Sequence, residues 1–222
     1  MTSKSEIYHE ISNQNISRYS HRYKIHGQNV KTLGWGTKEQ QQYRFCKTLE
    51  FDIDFCNKII LDIGCGFGDY FDFINKQRDI HCFKEYIGVD LNDTLVNNGI
   101  KKYKNEQQCS FAVKDILCNS VETPIGDIGI MLGLINKNLD RLIDNYEYSF
   151  KMIKNAFSYV REVLVVDFLS TIKTKDYPEE EFVFYHNPSK VLEFALTLSE
   201  NVSLIHNYKA IPQKEYLIAI YK

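Results

Sequence analysis

Short hydrophobic runs alternate with stretches of helical periodicity along residues 59–167, the rhythm of a parallel sheet whose strands are joined by crossover helices. The runs at 59–63, 86–90, 110–113, 127–132 and 163–167 predict five strands, and 70–76, 94–104 and 142–159 predict helices among them. In the last of these helices Ile143, Tyr146, Phe150, Ile153 and Phe157 recur at helical spacing. The run at 127–132 is apolar enough for burial on both faces. Farther on, Asn187 followed by Pro188 is a start signal for a helix over 188–199. Runs at 202–207 and 216–221, joined by a short connection, predict an antiparallel pair. Ahead of the alternation, 37–49 reads as a helix capped by Thr37, with Tyr43, Cys46 and Leu49 on its apolar stripe. The class is α/β.

The first residues do not share this pattern. Tyr19, His21, Tyr23 and His26 are too polar for a plain core segment, and Leu33-Gly34-Trp35-Gly36 sets the only tryptophan between two glycines. Residues 1–36 read as a lid over a site, so 1–50 form a helical lid region ahead of one α/β unit over 51–222. A chain of 222 residues is long enough to bury a core without staples but short for two full domains. Its formal charge of −2, from 27 basic and 29 acidic residues mixed along the chain, offers no broad positive field, so no nucleic-acid partner is expected. No run approaches a membrane span, and residues 1–20 lack the apolar region of a secretory signal. The six cysteines show no C-x-x-C pair and no zinc spacing, which suggests reduced thiols and a cytoplasmic protein. Pro124, Pro178, Pro188 and Pro212 all fall in expected connections.

The most informative chemistry lies where the first strand ends. Asp62-Ile63-Gly64-Cys65-Gly66-Phe67-Gly68-Asp69 runs an apolar strand into a turn with glycine at alternate positions. Glycine admits positive φ there and is expected to leave backbone N–H groups open to a ligand. Asp90 ends the next strand roughly the ~20 residues past the glycines at which a carboxylate meets ribose hydroxyls. A dinucleotide turn would carry a third glycine in G-x-G-x-x-G spacing; here Asp69 follows instead and would repel a pyrophosphate. That argues against a nicotinamide oxidoreductase. A ligand carrying an ammonium and a sulfonium would be favoured beside Asp62 and Asp69.

Taken in order, Leu61-Asp62-Ile63-Gly64-Cys65-Gly66-Phe67-Gly68, Gly88-Val89-Asp90-Leu91 and Val113-Lys114-Asp115-Ile116 resemble the cofactor motifs of class I S-adenosylmethionine-dependent methyltransferases, over roughly residues 58–167. The resemblance implies a seven-stranded, Rossmann-like, doubly wound sheet of order 3-2-1-4-5-7-6 with its last strand antiparallel, and S-adenosyl-L-methionine as cofactor. By the same resemblance Gly64, Cys65 and Gly66 line its methionine part, Asp90 takes the ribose, Leu91 packs on the adenine, and Asp115 with the Ile116 N–H meets the adenine edge. Arg44 is a candidate for the cofactor carboxylate through a bidentate fork. The pattern His26-Gly27, Leu33-Gly34-Trp35-Gly36, Arg44-Phe45 is similar to a group of bacterial small-molecule methyltransferases of undefined substrate.

Methyl transfer from a sulfonium is an in-line displacement that needs alignment and exclusion of water rather than a covalent residue. Candidates beside the acceptor are Asn136 and Lys137 after the fourth strand and Asp167 after the fifth, the last to orient or deprotonate the acceptor or to serve structurally. Tyr19, Tyr23 and Trp35 from the lid, with Tyr185 and His186 from the long connection after Asp167, suggest an aromatic enclosure for a small molecule. Leu134-Ile135-Asn136-Lys137 stands where nucleic-acid amino-methyltransferases carry a Pro-Pro turn, and no acidic cluster marks a catalytic metal, so none is expected. The expected activity is transfer to oxygen or nitrogen of a small molecule, fitting secondary metabolism. The alternative is a regulatory protein that binds the cofactor without catalysis.

Overall fold

The computed structural model describes residues 3–77, 82–139, 141–175, 179–210 and 213–222. Two helices, α1 (Lys4–His26) and α2 (Lys38–Thr48), precede β1 (Ile59–Ile63), α3 (Asp69–Ile74), β2 (Glu85–Asp90), α4 (Asp93–Lys102), β3 (Cys109–Val113) and β4 (Gly126–Met131). Then come α5 (Asn145–Ser158), β5 (Val160–Leu169), α6 (Pro188–Leu196), β6 (Val202–Ile205) and β7 (Glu215–Tyr221). The strands form one sheet in the order β3-β2-β1-β4-β5-β7-β6, parallel except for β7, which runs antiparallel to both neighbours. Fold class and strand order are those that the resemblance implied.

Strand periodicity divides the core into two. Leu61, Ile63, Met131, Leu164, Val166, Ile218 and Ile220 face α5 and α6, while Ile60, Ile128, Ile130, Val163, Val165, Leu217 and Ala219 face α2 and α3. The second face is rich in aromatic rings: Phe45 and Tyr70 meet edge to face at 5.1 Å, and Phe71 packs on Tyr86 at 5.2 Å. β5 is longer than its apolar run because it pairs with β4 along one edge and with β7 along the other. The caps at Thr37 and Asn187 form as their sequences require, Thr37 in a reciprocal capping box with Gln40. Pro188 is the first helical residue of α6 rather than part of a connection, and Pro178 and Pro212 lie outside the described residues.

The cysteine expectation needs correction. Cys56 and Cys82, with Cα atoms 4.7 Å apart, are joined by a disulfide that ties the entry of β1 to the entry of β2. Their 26-residue separation matches no motif, so sequence spacing gave no sign of it. Cys46, Cys65, Cys109 and Cys118 are free. Among the described residues no helix is long and apolar enough to cross a membrane.

His186, expected in an acceptor pocket, is instead fully buried in the α5-side layer. One ring nitrogen, Nε2, lies 2.8 Å from Ser149 Oγ, and the ring sits among Tyr146, Phe168 and Phe184. Nδ1 is buried without a hydrogen-bond partner. Desolvation pushes the imidazole down to a pKa of about 3. The unfolded chain therefore binds a proton here that the native state refuses, and the contribution is intact above the ordinary histidine pKa and lost as pH falls toward 3. Chemical denaturation should show the stability advantage of wild type over His186→Gln shrinking between about pH 6.5 and 3.5, by up to ~1.4 kcal/mol per pH unit.

Candidate cofactor and acceptor site

The turn after β1 adopts left-handed backbone three times, with φ of 77° at Gly64, 55° at Gly66 and 75° at Gly68. A Cβ on Gly64 would also fall 2.6 Å from the Leu134 side chain, and one on Gly66 2.7 Å from Leu33. Glycine is thus required twice over at both positions. The N–H groups are not left open, however. Gly64 and Cys65 both donate to the Val89 carbonyl, at 2.7 and 3.1 Å, Gly66 donates to Asp90 Oδ2 at 3.0 Å, and Gly68 to the Cys65 carbonyl at 2.8 Å. The turn folds against the end of β2 and presents its Cα surface rather than a nest of donors.

A cavity of about 570 Å³ opens at the carboxyl ends of β1, β2, β4 and β5, where the strand order reverses. Asp62, Gly64 and Cys65 line it from the first turn; Asp90 and Leu91 from the second; Asp115 and Ile116 from the third. Gly66 does not: its N–H is turned into the Asp90 bond behind the surface. Asp90 is anchored on both oxygens, by Gly66 and by the Asn92 N–H at 2.8 Å, which fixes the carboxylate while leaving each oxygen a further lone pair. Asp115 accepts from the Ser12 hydroxyl at 2.7 Å and the Cys118 N–H at 3.1 Å. Asp62 is buried and accepts from Tyr86 Oη at 2.5 Å; burial, aided by Asp90 and Asp69, still raises its pKa to about 7.

The segment expected as a lid is helical and polar on nearly every side. α1 buries only Ile11 and Ser12, and hydrogen bonds hold it over the cavity: Asn92 Nδ2 donates to the Ile16 carbonyl and Ser20 Oγ, and Lys137 Nζ to Gln14 and Asn15. Tyr19 lines the cavity. Tyr23 does not; its hydroxyl donates to Asn98 at 3.1 Å on the α4 side. Trp35 does line it, seated on Gly133, where a Cβ would lie 2.9 Å from the indole and φ is 74°.

At the β4–β5 side, Asp167, Asn136 and Lys137 all reach the cavity, as expected from their strand ends. Asn136 Oδ1 accepts from the Leu169 N–H, so this side chain also ties two strand ends together. Asp167 is 2% exposed and accepts from the Gly133 N–H at 2.6 Å; burial, opposed by that bond and by Arg44, raises its carboxyl to a pKa of about 6. Of the connection after β5, Glu180, Phe182 and Val183 line the cavity, whereas Tyr185 and His186 do not. The Tyr185 hydroxyl accepts from the Glu180 N–H and from Gln213 Nε2, which holds the ring in the wall behind the surface.

Arg44 lines the cavity, but its fork is already spent: Nε donates to Glu215 Oε2 at 2.7 Å and Nη2 to Glu215 Oε1. The guanidinium also stacks 5.0 Å from the centre of the Trp35 ring. Burial raises the Glu215 carboxyl to about 7 against the pull of Arg44. Sequence reading missed Glu215, Gly133, Ser12 and Asn92. An acid at the mouth of an otherwise apolar strand was the one available sign, at Glu215. Because the pair is buried on both sides, Glu215→Ala should cost about 3–5 kcal/mol by leaving an uncompensated guanidinium, while Arg44→Met with Glu215→Leu should cost far less. Urea denaturation of the two single variants and the double variant measures the coupling.

No protein-family model and no curated protein matches the sequence. Solved structures do match in shape. Magnesium protoporphyrin IX methyltransferase (ChlM) from Synechocystis PCC 6803 with bound SAH is 13% identical, with 99% of this chain and 100% of that chain covered at a TM-score of 0.63. The methyltransferase domain of bacterial CtHen1 is 12% identical over 82% of this chain and 99% of that one, at 0.60. The [4+2]-cyclase SpnF is 8% identical over 85% of each, at 0.63. At these identities the likeness is one of architecture: the chain has the class I methyltransferase fold.

Proposed function

We propose that this chain is an S-adenosyl-L-methionine-dependent methyltransferase acting on oxygen or nitrogen of a small molecule. The observation that supports it most is the convergence of a glycine turn and three strand-end acids, Asp62, Asp90 and Asp115, on one cavity at the switch point of the sheet. The residues suit the group. Gly64 and Cys65, with Leu134 beside them, offer backbone and apolar surface to the methionine chain, the twice-anchored Asp90 has acceptor capacity for ribose hydroxyls, and Leu91, Asp115 and Ile116 are placed for the adenine. Buried carboxylates with raised pKa values favour a ligand that brings positive charge. ChlM, of the same fold, has been solved with SAM bound.

Bound there, the cofactor would supply an electrophilic methyl group; the chain's part is position and dryness. Trp35 and Tyr19 close the acceptor side to water. Asp167, held by the Gly133 N–H, is placed to accept a proton from an acceptor hydroxyl or ammonium, and its pKa of about 6 keeps it largely ionised at neutral pH. Asn136 and Lys137 complete that wall, the lysine also holding α1 down. Arg44 serves by carrying Trp35 and Glu215 rather than as a free fork. A small acceptor fits the enclosed cavity and the net charge of −2 better than RNA does, although a Hen1 domain shares the fold. The same reading keeps a cytoplasmic location, against which the Cys56–Cys82 disulfide stands.

The second reading is a regulatory protein that binds the cofactor without catalysis; SpnF, named as a cyclase, shows only that this fold is not confined to proteins named as methyltransferases. Calorimetry with SAM followed by detection of SAH release over an acceptor library separates the two: binding with no turnover on any acceptor selects the second. Gly64→Val should abolish SAM binding while the circular dichroism of the fold persists, and undiminished affinity would remove the turn from the site. A cationic ligand prefers the ionised form of Asp62, so affinity should rise with pH through about 7, by at most ~10-fold per pH unit below that pKa. Asp62→Asn should flatten the profile.

A further inference from the structure

At the margin of the proposed site, behind Asp115, His9 on α1 meets Asp115 and Cys118 from the turn after β3. Their Nδ1, carboxylate oxygen and Sγ atoms all lie within 4.8 Å of one another. His9 Nδ1 and Cys118 Sγ are 3.5 Å apart. A tetrahedral zinc ion with Zn–N of about 2.0–2.1 Å and Zn–S of about 2.3 Å separates those two ligand atoms by about 3.6 Å. His9 and Cys118 therefore already stand at the spacing that a shared ion imposes, with an Asp115 oxygen close enough to close in on it.

We infer that His9, Asp115 and Cys118 form a zinc-type metal site that fastens the lid helix α1 to the body of the fold. The donor set decides the class of ion. Imidazole nitrogen and thiolate sulfur select a borderline-soft transition metal such as zinc over magnesium or calcium, which take oxygen. Asp115 and Cys118 are three residues apart on one turn, and that turn is tied internally by the Cys118 N–H to Asp115 Oδ1 bond, so two ligands are held in place before the ion arrives. Ser12, one helical turn beyond His9, donates to Asp115 Oδ2 at 2.7 Å and orients the carboxylate, the usual task of an outer-shell partner. Binding releases the Cys118 thiol proton to solvent and leaves a fourth position for water.

The consequence concerns the lid rather than methyl transfer. Apart from the packing of Ile7, Tyr8 and Ile11 on the core, α1 is held by single hydrogen bonds and an exposed ion pair between Lys4 and Glu147, each of small worth. A coordinated ion would add an anchor of a different order at the point where Asp115 also lines the cavity. Asp115 is thus shared between the latch and the wall of the cavity, while His9 and Cys118 lie outside it.

The test titrates the full chain with zinc chloride against a competing chromophoric chelator. Stoichiometric binding is expected, weakened in His9→Gln and in Cys118→Ser by no less than the roughly 10- to 100-fold that loss of an outer-shell partner costs. Cys46→Ser, at the exposed thiol, should leave affinity unchanged. Cobalt should give a thiolate charge-transfer band that Cys118→Ser lacks, and zinc should slow amide exchange along α1 only in chains that keep all three ligands. Failure to bind, affinity indifferent to both substitutions, or zinc bound with α1 exchange unaltered would each overturn the proposal.

Discussion

At the end of β1 the chain must leave a fully buried strand and enter α3 within a few residues, and it does so by left-handed backbone at Gly64, Gly66 and Gly68. That reversal is secured by Val89 and Asp90, which receive the freed N–H groups of the turn. The cavity follows from this one constraint. Without side chains at its glycines the turn lets Leu134 and Leu33 pack directly on Gly64 and Gly66, and the acids that end β1 and β2 face the same cavity.

A hollow at the edge of a hydrophobic sheet is a poor place for carboxylates, and the molecule keeps Asp62, Asp90, Asp167 and Glu215 there nonetheless. Each has its pKa raised, first by desolvation, and hydrogen bonds from Tyr86, Gly66, Gly133 and Arg44 recover only part of the loss. Such groups disfavour the ligand-free state at neutral pH. They become favourable when a cation enters, which is the physical argument behind the proposed sulfonium and ammonium ligand.

The central strands and helices were legible because their periodicities differ sharply and glycine and proline punctuate them; the caps at Thr37 and Asn187 could be read from two residues each. Strand order was not a matter of pattern and came from the cofactor motifs. Three misplacements share a cause. Tyr185 and His186 follow a cavity-lining stretch, yet pairing of Ser170 with His186 draws the chain into the α5-side layer, and no sequence rule marks that crossing. Tyr23 lies one helical turn past Tyr19 but faces α4. Gly66 belongs to the motif, and only the Asp90 bond shows that it stands behind the surface. Contacts between distant segments, such as Ser12 with Asp115 or Cys56 with Cys82, leave no local trace.

The antiparallel course of β7 has a temporal consequence. Parallel strands deliver their final residues to the binding edge, whereas β7 delivers its first, so Glu215 stands opposite Leu169. Arg44, made far earlier, meets its Glu215 partner only when β7 slots between β5 and β6. The inner wall of the pocket thus joins residue 44 to residue 215, and it is complete only with β7 in place.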